Sequence, residues 1–328
     1  MNKTVCSYLA CCSCRSSLKK NRNRLYCSEC GLSFPVVQGR PVIMTAEMVT
    51  KWKSPVDEAL GLSGERTLVD SIRTLADLGL EGALEMIQQV PQHEKSFTSI
   101  EAVSLKDQGK MRYRGTGEWF RHCGREDKLL VFPWKKNEDG SFSAFMKAVQ
   151  EESSVVLLDL ASGGGFGLSQ QAFLNKTARC IIGVEKDLKC LSNIQYRLKH
   201  IGKDNIADAV GGDVRHLPIM DESVDTAMML AGLPEIHGIS RLLKEVFRVL
   251  KPQGSFHLLI EDRLFISNPP FVSVGFSEKD FRIFAEAADL FSGGEQFASA
   301  ARRAGFQVTS RIFSGSKRRR LLLLRKTS

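Results

Sequence analysis

Hydrophobic and polar positions change rhythm along this chain, and each change marks an element. Between residues 64 and 90, Leu68, Ile72, Leu75, Leu78 and Leu80 recur at helical spacing until Pro91 ends the pattern. One or two amphipathic helices are expected there. Residues 142–150 read as a further helix, leading into Val155-Val156-Leu157-Leu158. That apolar run ends in Asp159 and passes through Leu160 into Ala161-Ser162-Gly163-Gly164-Gly165-Phe166-Gly167. A run that is apolar at every position reads as a strand buried on both faces. Residues 168–174 read as the next helix, so the glycine-rich turn feeds a helix N-terminus. Residues 180–184 are a second run, ending in Glu185, and 223–230 and 255–260 are further strands. Residues 295–304 read as a helix stopped at Gly305. Residues 306–314 and 320–325 read as a final antiparallel pair. Strands alternating with helices predict an α/β fold with helices on both faces of a mostly parallel sheet.

The glycine-rich turn is the first sign of chemistry. Glycine lacks Cβ, so the backbone can turn sharply and approach a ligand. A strand–turn–helix unit in an open α/β sheet is a nucleotide site. An acid ending the second strand, Glu185, can accept hydrogen bonds from both hydroxyls of a ribose, which also fits a dinucleotide fold. However, the third glycine of G-x-G-x-x-G falls on Leu168 or Gln170, depending on the starting glycine, which weakens a dehydrogenase reading. Downstream come Gly212-Asp213-Val214-Arg215-His216-Leu217-Pro218 and Ser223-Val224-Asp225-Thr226-Ala227-Met228-Met229. Leu243-Lys244-Glu245-Val246-Phe247-Arg248-Val249-Leu250-Lys251-Pro252-Gln253-Gly254 follows.

This ordered set resembles the class I S-adenosylmethionine (SAM)-dependent methyltransferases, particularly the ubiquinone/menaquinone biosynthesis group, over residues 142–262. The resemblance implies a Rossmann-like class I sheet and SAM as methyl donor. It assigns Asp159 to the loop and the methionine part of SAM, Glu185 to the ribose and Asp213 to the adenine amino group. Ala161, Gly163 and Gly165 form the turn around the cofactor; Ala161 stands where many members carry glycine. The loop Ala231-Gly232-Leu233-Pro234-Glu235-Ile236-His237 would face the transferred methyl. Glu235 or His237 can serve there as a general base; a polar loop or helix cap is the plainer reading of both. Methyl transfer from a sulfonium can run largely on positioning and desolvation. Asn268-Pro269-Pro270-Phe271 spells the signature of N-methylating enzymes. It follows the strand at 255–260 rather than that at 223–230, which is the wrong place for such a site.

At the N-terminus, Cys11-Cys12-Ser13-Cys14 and Cys27-Ser28-Glu29-Cys30 make two C-x-x-C knuckles. Cys11, Cys14, Cys27 and Cys30 can close a tetrahedral zinc site; iron and redox chemistry are the rival readings. Leu9 to Cys14 with Tyr26 to Met44 resembles the Trm112-like zinc ribbon, with Cys12 a bystander where that family often has proline. A ribbon of this size buries too little core alone, so structural zinc would supply folding energy. In that family such ribbons can support a methyltransferase partner; here one is fused to its own. The expected layout is a ribbon at 1–48, a helical or irregular linker and active-site cap at 49–141, and a methyltransferase domain at 142–328. Residues 100–135 are the candidate lid.

Composition bounds the function. The 328 residues are 43% hydrophobic, enough for one large domain and a small one. No run approaches the ~18 apolar residues of a membrane span, and no signal-peptide core precedes the cysteines, so a cytoplasmic protein is expected. The net charge of +9 sits at the ends. Residues 1–48 carry +5 and residues 311–328 carry +7, leaving −3 for the remainder. Basic ends, a basic and aromatic stretch at 110–121 and a basic run at 317–320, placed at a hairpin turn, suit an anionic partner such as RNA. Solvated surface charge accounts for them as well. The Phe-rich insertion at 263–292 can wall an acceptor pocket or simply pack. His200, His216, Cys123, Cys180 and Cys190 lack metal-ligand spacing and read as structural. The leading expectation is a SAM-dependent methyltransferase acting on a small or lipid-like acceptor. The alternatives are an rRNA or tRNA methyltransferase and a non-enzymatic binding protein of the same fold; the acids Asp159, Glu185 and Asp213 argue against the last.

Overall fold

The computed structural model describes residues 2–37, 39–45, 48, 55–62, 68–90, 139–261, 277–313 and 318–327. The candidate lid, the stretch at 110–121, residues 268–271 and Lys317 lie outside the described residues.

The chain opens with a short helix, α1 (Lys3–Cys6), whose first amides donate to the Asn2 side chain. An antiparallel sheet follows in the order β1 (Leu18–Asn21), β2 (Arg24–Cys27), β3 (Ser33–Val37) and β4 (Arg40–Pro41). Helices α2 (Pro55–Ala59) and α3 (Leu68–Gln89) come next. Gly79, at φ +66°, ψ 178°, breaks α3 into two arms. Glycine reaches this backbone conformation without a Cβ penalty.

The large sheet is built from β5 (Val156–Leu160), β6 (Cys180–Glu185), β7 (Ala207–Gly211), β8 (Val224–Leu230), β9 (Leu250–Glu261), β10 (Phe306–Phe313) and β11 (Arg319–Lys326). Its order is β10-β11-β9-β8-β5-β6-β7. All strands run in one direction except β11, which pairs antiparallel with β9 and β10. Helices α4 (Ser141–Glu151), α5 (Phe166–Leu174), α6 (Leu188–His200), α7 (Ile239–Val249), α8 (Glu278–Ala287) and α9 (Gly294–Arg303) complete the domain.

The period of two along each strand explains the continuous apolar runs. Val156, Leu158 and Leu160 face one core, which α7 and α9 line with Leu242, Val246 and Phe297. Leu157 faces the other, with Phe145 of α4, Leu168 of α5 and Ile194 of α6. The Rossmann-like class I sheet expected from the motifs is the observed fold.

The ribbon shares the first of these cores. Leu9, Leu25, Phe34 and Ile43 belong to the same apolar cluster as Val210, Ile219 and Leu243 of the large domain. Backbone bonds stitch the two together: Ile43 N–H to Gly211 O at 2.8 Å, Ala10 N–H to Pro218 O at 3.1 Å, and Met220 N–H to Tyr8 O at 3.0 Å. Arg15 pairs with Glu245 at 2.9 Å. The sequence suggested a ribbon relying on metal alone; it also buries its apolar side against the edge strand β7.

A third apolar cluster joins α2 and α3 to α8, with Val56, Leu60 and Leu75 against Phe281, Phe284 and Leu290. Phe281 and Phe284 of the Phe-rich insertion therefore pack under this helical cap.

The basic run at 317–320 does not lie wholly in the turn. Arg319 and Arg320 begin β11 and are buried. Arg319 pairs with Asp139 at 3.2 Å, and Arg320 pairs with Glu295. The strand starts one residue earlier than the sequence suggested, and the two acids take up the guanidinium charges there.

Candidate cofactor and acceptor site

In the large sheet the strand order reverses at β5, between β6 and β8. Ligands bind in open α/β sheets outside the carboxyl ends of the strands at such a point. The glycine-rich turn follows β5 there.

Asp159 is buried in β5, and its Oδ2 has no hydrogen-bond partner among the described residues. Burial pushes its carboxyl up to about 8, the Glu185 charge adds to the shift, and a backbone donor at Leu168 opposes it. Ala161 adopts φ +50°, the left-handed region that favours glycine, which accounts for the glycine common at this point in the resembling family. Its Cβ is tolerated because position 232 is glycine: a Cβ there would lie 2.9 Å from that of Ala161. Gly163 turns at φ +52°, and the side its missing Cβ would occupy is open. Gly165, at φ +77°, is different. A Cβ there would come within 2.7 Å of Ile194, so the close approach at this glycine is to α6.

Glu185, at the end of β6, accepts from the Gly163 amide at 2.7 Å and the Asp187 amide at 2.8 Å. Burial pushes it up to about 6 despite those bonds. Each carboxylate oxygen has a second lone pair, so capacity remains for hydroxyl donors. Asp213, buried past the end of β7, accepts from the Arg215 backbone amide at 2.9 Å, from Nε at 3.0 Å and from Nη2 at 2.8 Å. Burial opposes its charge, but the Arg215 guanidinium and then Lys186 hold the carboxyl well below the usual range.

Arg215 continues outward. Its Nη1 donates to Glu58 of α2 at 2.7 Å and to the His237 backbone oxygen at 3.3 Å. Glu58 Oε1 also lies 3.9 Å from His237 Nδ1. The structure thus brings His237 to a polar cluster beside Asp213. Glu235 ends a short 3-10 turn, Leu233–Glu235, and its side chain is outside the described residues. Motif reading missed Arg215 and Glu58. Arg215 was visible two residues after a motif acid. Glu58 carried no local signal, because its partner is 157 residues away in sequence.

In the ribbon, Cys11, Cys14, Cys27 and Cys30 place their sulfurs within 4.8 Å of one another. Cys11–Cys30 and Cys14–Cys27 are 3.5 and 3.3 Å apart. Zinc–thiolate bonds of about 2.3 Å in a tetrahedron need sulfurs about 3.8 Å apart, so the cluster is sized for zinc. Cys12 is buried in the shared core and is not part of this cluster.

Residues 158–258 match the methyltransferase-domain family, and residues 5–39 match the Trm112p-like family. The chain carries a class I methyltransferase domain behind a Trm112-like ribbon. It is 26% identical over 156 residues to a demethylmenaquinone methyltransferase of Lactobacillus johnsonii, covering 47% of this chain and 61% of the relative. It is 30% identical over 118 residues to the protein of the same name from Thermobifida fusca, covering 34% and 45%. The matches therefore span about half of these relatives' length. Among solved structures, a chain of the Haloferax volcanii complex between the Trm112 methyltransferase activator and a methyltransferase is similar at TM-score 0.43. That likeness has 14% identity and covers 62% of this chain and 97% of that one.

Proposed function

We propose that the protein transfers the methyl group of SAM to a small aromatic acceptor of the quinone type, in its reduced form. The observation carrying the cofactor reading is the unpartnered, buried Oδ2 of Asp159, which lies 3.5 Å from where a Cβ on Gly167 of the glycine-rich turn would sit. A buried acceptor without a donor is unfavourable, and a bound ammonium such as that of the SAM methionine part would satisfy it. Glu185 would take the ribose hydroxyls, and Asp213 would use its remaining lone pair for the adenine amino group. Bound SAM supplies an electrophilic methyl; the chain's part is to hold it and exclude water.

The acceptor reading rests on the demethylmenaquinone methyltransferase relatives. A reduced quinone ring is electron-rich, whereas the oxidised ring is not, so the hydroquinone is the reacting form. Zinc at Cys11, Cys14, Cys27 and Cys30 would be structural, since four thiolates leave no open position. Among the described residues, no helix is long and apolar enough to cross a membrane.

The test is methyl transfer from labelled SAM to reduced demethylmenaquinone, run beside fractionated cell extract with and without RNase. Label in the quinol that survives RNase supports the reading; label found in RNA alone overturns it. One observation favours the RNA alternative: Lys19, Lys20 and Arg22 are exposed on the β1–β2 hairpin. Against it, four C-terminal cations are paired internally: Arg319, Arg320, Arg325 with Glu152, and Lys326 with Glu222.

A further inference from the structure

We propose that His237 is the proton acceptor on the acceptor side of this site and that Glu58, from the helical cap, is the residue that positions it. This rests on the methyl-transfer reading above and names two residues for it.

The geometry carries the assignment. His237 lies in the loop after β8, beside the point where the strand order reverses. Its backbone is pinned on both sides, by a bridge to Leu290 and by the Arg215 bond to its carbonyl oxygen. The imidazole turns Nδ1 toward Glu58 Oε1 at 3.9 Å, which leaves Nε2 as the nitrogen on the far side of the ring from Glu58. Catalytic hydrogen bonds are often this long before substrate binds and shorten in the complex. A carboxylate at Nδ1 selects the tautomer protonated there and keeps the Nε2 lone pair free. Glu58 suits this role because Arg215 fixes the same oxygen at 2.7 Å. Burial works against the Glu58 charge, but His237 and Arg215 hold its carboxyl down to about 2, so it is ionised at neutral pH. At 28% side-chain exposure, the His237 ring is accessible to an acceptor.

The acceptor class that needs such a pair is an aromatic ring bearing a hydroxyl. The O–H bond breaks and its proton goes to Nε2, where the Glu58 charge offsets the imidazolium. The electron pair released into the ring forms the new bond to the methyl carbon. The methyl–sulfur bond breaks with its pair left on sulfur, and the ring proton at the methylated carbon leaves to water, its C–H pair restoring the aromatic ring and the phenolate, which takes the proton back from Nε2.

The experiment is carbethoxylation of the full-length protein by diethyl pyrocarbonate at pH 8, followed peptide by peptide by mass spectrometry. The reagent acylates an unprotonated imidazole nitrogen, so its rate reports the nucleophilicity of Nε2 without any acceptor. Wild type should label at His237, and Glu58→Gln should lower that rate severalfold, with Glu58→Asp in between. Labelling at His257, which is buried in the core, would expose a variant that has unfolded; Glu58→Asp then carries the comparison. In parallel, Glu58→Gln should lower kcat for reduced demethylmenaquinone with little change in its KM, and free imidazole should restore part of the turnover of His237→Ala. A His237 rate indifferent to both Glu58 substitutions overturns the pair, whether or not the quinol is methylated. A Glu58-dependent rate with no methylation of the quinol supports the pair and overturns the acceptor reading instead.

Discussion

At the scale of single residues, the site is set by acids held at unusual protonation. Asp159, pushed up to about 8 by burial and by Glu185, keeps its proton at neutral pH in the free protein. Its folded value lies above its unfolded one, so this group's stabilisation is present below about pH 4 and lost as pH rises through 8. A bound ammonium favours the carboxylate and expels the proton. SAM affinity should therefore rise from pH 6 to pH 8, with Glu185, pushed up to about 6, adding at the lower end. Calorimetry in buffers of different ionisation enthalpy measures the released proton directly. Asp159→Asn should flatten the profile; a wild-type profile flat between pH 6 and 8 would place the cofactor elsewhere. A second residue-scale expectation concerns Ala161 and Gly232, whose Cβ positions compete at 2.9 Å. Gly232→Ala should cost about 1–3 kcal/mol by overpacking. Adding Ala161→Gly should recover most of it in chemical denaturation, because the coupling is local. If the two substitutions are simply additive, this steric account fails.

At the scale of elements, the motif strands were legible because each carries its own signal: an apolar run for a strand buried on both faces, then an acid or glycine where the chain leaves the sheet. β5 and β6 follow that rule, and so do Asp159 and Glu185 at their ends. Interactions between elements were not legible. The Arg215–Glu58 pair joins a motif loop to a helix from a stretch without motifs, and Arg319 and Arg320 look like a surface patch until Asp139 and Glu295 are placed. Burial turns such a run from a binding surface into a stability element. Arg319→Ala leaves the half-buried Asp139 without its ion-pair partner and should destabilise by about 1–3 kcal/mol. Lys19→Ala and Lys20→Ala, on the exposed strand β1, should stay within about 0.5 kcal/mol. Thermal melts separate these cases, and an assay for RNA binding belongs on the β1 pair. An Arg319→Ala variant as stable as wild type would return that residue to the surface charge.

At the scale of the whole molecule, ribbon and domain share a core and a backbone seam, so they should lose structure together. The loop that carries Asp213 runs on through Pro218 and Met220, the residues that bond Ala10 and Tyr8 of the ribbon. Metal at the four cysteines would hold Ala10 and its neighbours, and through them that loop. Chelating the metal, with its loss confirmed by elemental analysis, should therefore weaken SAM binding although every proposed cofactor residue is untouched. Deleting residues 1–44 takes the argument further. It removes the Ile43 partner of Gly211 at the edge strand β7 and uncovers Val210 and Ile219, which lie in the shared core. An exposed, apolar edge strand invites pairing with another chain. The shortened protein should melt at lower temperature and aggregate, as read by light scattering, whereas the full chain should unfold in one transition. A truncated domain that stays monomeric with unchanged SAM affinity would show the ribbon to be an appendage, and the shared core would then contribute nothing to the cofactor site.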